Sequence, residues 1–85
     1  MDKQAIFEII TKHARDIVPG LEDHAFGWTD SLKALGANSI DRSEIVMSTL
    51  EEISLDIPLA ETIKAENIGE LAALLADKLS ERQGA

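Results

Sequence analysis

Apolar residues recur at three- and four-residue spacing in three separate stretches of this chain, and nowhere do they alternate. That period belongs to helices with one buried face, and no strand reading fits it. The first stretch runs from Asp2 to Val18, where Ile6, Ile10, Ala14 and Ile17 form the stripe and Phe7 and Ile9 widen it. Asp2 suits its N-cap, and Pro19–Gly20 ends it. A second helix is predicted over Ser39 to Ile53. One stripe holds Ile40, Met47 and Leu50, and Val46, Leu50 and Ile53 continue it, while Asp41, Glu44, Glu51 and Glu52 take other faces. The last helix opens on "NIGE", Asn67 to Glu70, a capping-box spacing, and carries Ile68, Leu71, Ala72, Leu75 and Leu79 toward the core.

The connections are uneven. Residues 19–37 have no sustained period, and a loop this long is unusual unless functional or packed down by its own side chains. Leu21, Phe26, Trp28, Leu32 and Leu35 are the residues to pack it, and "TDSL" at Thr29–Leu32 reads as a short capped turn. Pro58 interrupts the segment after the second helix, leaving Leu59–Ala65 as a short helix or turn. The expected fold is all-α: a small four-helix bundle, three main helices plus one short helix, with a long first loop. Residues 1–85 fit a single domain, with a tail at 82–85 that frays.

Composition narrows the function. A hydrophobic fraction of 45% argues against disorder. The chain holds no cysteine, so it has no disulfide, thiolate nucleophile or thiol of its own. Its net charge is −8, from 16 acids and 8 bases. Nucleic acid and anionic membrane surfaces are poor partners for such a chain, and a basic protein surface is the natural complement. The charge concentrates in residues 41–70, where eight acids face only Arg42 and Lys64. A solvated acidic face that serves solubility is the plain alternative. Charges interrupt the apolar pattern of "MDKQAIFEII" and no apolar run approaches spanning length, so a cytoplasmic protein is expected.

Catalytic sets are weak. His13, His24 and Ser39 with a nearby acid would be needed for a triad, but His13 falls on the first helix's stripe as a packing residue and His24 in the loop as a solvated one. Glu51 and Glu52 point to different helix faces. "DIPLAETIKAEN" lacks the alternating ligands and central glycine of a calcium loop, and no glycine-rich phosphate loop is present. No catalytic residue and no metal ligand is therefore assigned.

What remains is "LGANSID", Leu35 to Asp41. Gly36 permits a tight turn, and Asn38 and Ser39 are both good N-caps. The helix start beyond them favours an anion, so a phosphate on Ser39 would sit well. The residues alone leave Ser39 either a capping hydroxyl or an attachment point, and capping serines are the commoner kind.

The surrounding register separates the two. "DSLKALGANSIDRSEIVMSTLEEISLDIP", residues 30–58, resembles the centre of acyl carrier proteins, whose attachment motif reads Asp-Ser-Leu. Leu35–Gly36 matches, Ser39 falls on the modified serine, and Ile40 replaces the leucine. Asp41, Glu44, Val46, Met47, Leu50, Glu51, Glu52 and Ile57–Pro58 keep the register. The resemblance implies a non-catalytic carrier. A phosphopantetheinyl transferase would place 4′-phosphopantetheine from coenzyme A on Ser39, and the arm's thiol would carry acyl thioesters. It also implies a partner-docking role for Asp41, Glu44, Met47, Glu51 and Glu52.

Three residues depart from the commonest pattern. Asn38 stands where an aspartate is usual, Arg42 adds a positive charge just after the attachment site, and Ser43 replaces a common valine. Together with Ile40 they look like the narrower group of freestanding carriers in polyketide β-branching cassettes, and they are the expected determinants of partner choice. That similarity implies an acetyl group, made by decarboxylating a malonyl group, delivered to an enzyme resembling HMG-CoA synthase. The implied partners are that enzyme, a malonyl acyltransferase and a decarboxylating ketosynthase-like enzyme, with the carrier a monomer. A general fatty-acid or polyketide carrier is the alternative within the class. An unmodified helical adaptor, with Ser39 only a cap, is the alternative outside it.

Overall fold

Asp2 starts the first helix as expected: its carboxylate accepts a hydrogen bond from the Ala5 amide at 2.9 Å. In the computed structural model, which describes residues 1–84 and the side chains of 1–81, helix α1 spans Lys3–Ile17. Helix α2 spans Ser39–Glu52, a 3₁₀ helix spans Leu59–Lys64, and α3 spans Ile68–Gly84. The fold is thus all-helical among the described residues, three long helices and one short, as the periodicity predicts. The helix continues through Gly84, whereas Ala85 and the side chains of the tail expected to fray lie outside the described residues.

Helix α1 packs against both α2 and α3. Ile6, Ile10, Ile45, Ile68 and Leu75 are fully buried where these faces meet. Burying side chains of this size stabilises the fold by about 1.5–3 kcal/mol each, before conformational entropy is subtracted.

The long first loop is fastened at several points. Leu21 and Leu32 are buried, and Phe26 and Leu35 pack against the core from the rim. Trp28 stacks on Phe7 with ring centroids 4.3 Å apart. Two loop carbonyls then serve the start of α3. Asp30 accepts the Ile68 amide at 2.9 Å, and Trp28 accepts the Gly69 amide at 2.8 Å. Those N–H groups have no partner inside a helix, so the loop supplies acceptors that α3 would otherwise lack. Asn67 adds its own side-chain oxygen to the Glu70 amide at 2.7 Å, and Glu70 reaches back to the Glu66 amide at 3.2 Å.

His24 is not a solvated loop residue. It is half-buried, stands edge-on to Phe26 at 4.6 Å, and lies 3.3 Å from the Asp30 carboxylate. That carboxylate also accepts the Gly27 amide at 2.8 Å, and the two contacts hold it below the ordinary carboxylate range, the Gly27 bond most of all.

The α2 stripe is corrected as well. Ile45, Val46, Thr49, Leu50 and Ile53 turn inward, whereas Ile40 is 75% and Met47 53% exposed. This helix carries apolar residues on two faces, and the inward face is the one whose spacing stays unbroken to Ile53. Thr49 fits that face because its hydroxyl donates to the Ile45 carbonyl at 2.8 Å, so its own buried oxygen is paired.

Candidate functional site

The turn before α2 sets the site. The Gly36 amide bonds the Lys33 carbonyl at 3.1 Å, and the Ala37 amide the Leu32 carbonyl at 3.0 Å. Gly36 sits at φ +102°, a conformation that side-chain-bearing residues rarely adopt. The chain leaves this turn extended at Asn38, whose side-chain oxygen accepts the Asp41 amide at 2.8 Å. Asn38 is therefore the N-cap, and Ser39 is not. Ser39 is the first helical residue. It is exposed, and its hydroxyl has no hydrogen-bond partner among the described residues.

The other candidate residues divide by helix face. Ile40, Glu44, Met47 and Glu51 are all exposed and follow one another at four, three and four residues, so they form a single outward stripe of alternating apolar and acidic side chains. Asp41 is half-buried in the first turn. Ser39, Arg42 and Ser43 lie on a third side, where they line a cleft of about 690 Å³. The opposite walls are the 3₁₀ helix and the start of α3. The Arg42 guanidinium turns back toward the loop, donating from Nη1 to the Ala37 carbonyl at 3.0 Å.

Glu52 stands apart from the other acids. Its carboxylate bonds Lys12 Nζ at 2.7 and 2.8 Å and lies 2.9 Å from His13 Nε2, tying the end of α2 to α1. Lys12 first and His13 second hold this carboxyl below its ordinary range. Its first partner is the protein's own helix.

Two residues of the site carry no strong signal in the sequence. Ile63, on the 3₁₀ helix, is 79% exposed and lines the cleft, as does Lys33 from the loop. An isoleucine between Thr62 and Lys64 in a short, unperiodic segment is the only hint of the first, and nothing distinguishes the second from any surface lysine. Among the described residues no three His, Asp or Glu side chains group as metal ligands do.

The start of α2 thus presents an exposed hydroxyl, without a hydrogen-bond partner among the described residues, on its first residue and beside an open cleft. Comparison with known proteins identifies the family. Residues 17–75 match the family described as "Phosphopantetheine attachment site". The chain is 47% identical over 79 residues to the polyketide biosynthesis acyl-carrier-protein AcpK of Bacillus subtilis strain 168, covering 93% of this chain and 96% of that one. It also matches, at 49% identity and a TM-score of 0.86, a chain in the crystal structure of the curacin biosynthetic pathway HMG synthase in complex with acetyl donor-ACP. That match covers 91% of this chain and 99% of the other. The chain belongs to the phosphopantetheine attachment-site family and is an acyl carrier protein. Its cofactor is covalent 4′-phosphopantetheine, and the residues fit it: a cysteine-free chain offers an exposed, unpartnered serine beside a cleft. None of the described helices is long and apolar enough to cross a membrane.

Proposed function

We propose that Ser39 is the attachment serine and that the protein is an acetyl donor in polyketide β-branching. The observation that carries the site is the division of labour at the start of α2: Asn38 caps the helix, which leaves the Ser39 hydroxyl exposed and unpartnered. A transferase supplies the base. Ser39 Oγ forms the new bond to phosphorus, its proton leaves with that base, and the nucleotide half of coenzyme A departs. The carrier itself catalyses nothing. The thiol on the arm supplies what a cysteine-free chain lacks and holds the acyl group as a thioester.

The donor role draws on the likeness to AcpK and to the acetyl donor-ACP of the curacin complex. A malonyl acyltransferase and a decarboxylating ketosynthase-like enzyme load and trim the acyl group, and an HMG-CoA synthase-like enzyme receives it. The carrier meets each as a cytoplasmic monomer through the outward stripe of α2, with Asn38, Arg42 and Ser43 shaping the approach to the arm.

Acetyl-loaded protein offered to an HMG-CoA synthase-like enzyme tests this. Intact mass should report loss of acetyl at a rate well above that seen with a fatty-acid ketosynthase. Equal rates with both would make it a general carrier.

A further inference from the structure

We infer that Arg42, assisted by Lys33, is a positioning residue for the arm: its guanidinium holds the phosphodiester on Ser39 against the mouth of the cleft. The inference rests on the attachment reading above. Arg42 is out of keeping with its surroundings, since residues 41–70 hold eight acids and only one other base, Lys64. It follows Ser39 by three residues on the same helix, a spacing that brings side chains together at roughly 5–6 Å between Cβ atoms. Both residues line the cleft, and Lys33 lines it from the loop side.

The guanidinium is also pre-placed. Its bond to the Ala37 carbonyl draws it back toward the start of the helix and uses one of its N–H donors. The remaining donors have no partner among the described residues, and a planar fork of this kind matches a phosphate's oxygens. The helix end alone offers less, because Asn38 already occupies the Asp41 amide. Asp41 in the first turn and Glu66 on the far wall repel a phosphate, so the cations decide which way the arm leans. Arg42 and Lys33 direct it over the cleft beside the 3₁₀ helix.

The test compares apo and phosphopantetheinylated protein, each as wild type, Arg42→Gln and Arg42→Lys, by thermal melting and phosphorus NMR. Attachment should raise the wild-type midpoint. Arg42→Gln should lose most of that difference and shift the phosphorus resonance, and Arg42→Lys should restore part of both. In wild type the difference should narrow as salt is raised, a readout that needs no variant. If Arg42→Gln lowers both midpoints equally and leaves the phosphorus resonance in place, Arg42 only braces Ala37 and the inference fails. A wild type that gains no phosphopantetheinyl mass defeats the attachment reading instead, and this inference with it.

Discussion

The Trp28 carbonyl accepts the Gly69 amide at 2.8 Å, and a methyl group at position 69 would stand 2.6 Å from that same oxygen. The first loop therefore lies on the start of α3 at a distance only glycine allows. Gly69→Ala should improve helix propensity by about 1 kcal/mol yet push the loop off its acceptor position. We expect a net loss on the order of 1–2 kcal/mol, as for other insertions into a packed contact. Urea unfolding reads the loss, and the exposure of Trp28 reads the displaced loop.

Capping and the proposed attachment fall on neighbouring residues, so their substitutions should separate. Asn38→Ala removes the acceptor of the Asp41 amide and should cost about 1 kcal/mol in chemical denaturation. Ser39→Ala removes no bond and should leave stability nearly unchanged while abolishing modification. Asn38→Asp keeps the cap and adds a negative charge beside the phosphodiester, so it should preserve stability and alter transferase preference.

Acid should loosen the molecule through two carboxyls. Asp30 and Glu52 are both held below their ordinary values, 3.8 and 4.5, by their hydrogen bonds. A carboxyl lowered in the folded state contributes stability that is present above its unfolded value and lost as pH falls through its folded value. The loss is therefore expected below about pH 4.5, and Glu52→Gln should flatten that part of the melting curve. Lys78 runs the other way. Glu61 at 3.1 Å raises it, so its contribution is present below its ordinary 10.5 and lost as pH rises through the higher folded value.

The acids of α2 should differ in what they do. Glu44 and Glu51 share the outward stripe with Ile40 and Met47, whereas Glu52 is bound to Lys12 and His13. Glu51→Lys should slow association with an HMG-CoA synthase-like enzyme and weaken its salt dependence. Glu52→Gln should change stability more than association. Stopped-flow binding at two salt concentrations distinguishes them.

How far the fold could be read beforehand follows from the same residues. Helices α1 and α3 were legible because each has one apolar stripe and a capping side chain, Asp2 or Asn67, at the predicted place. Helix α2 was legible in extent but not in facing. Ile40 and Met47 are apolar for an outward surface, and local spacing cannot distinguish that from burial. His24 looked solvated because the partners that half-bury it, Phe26 and Asp30, are set by the path of an unperiodic loop. The cleft was invisible for a similar reason. Its walls come from segments far apart in the chain, and although helical spacing sets Arg42 near Ser39, only the fold brings Ile63 and the start of α3 across from them. The register across residues 30–58 marked the family nonetheless, and within it Ser39 is the serine proposed to bear the arm.

The central claim is that Ser39 bears the arm. Intact-mass measurement after incubation with coenzyme A and a broad-specificity transferase tests it most directly. Wild type should gain one phosphopantetheinyl group and Ser39→Ala none. A wild type that stays unmodified, or a Ser39→Ala variant that still gains the mass, would contradict it.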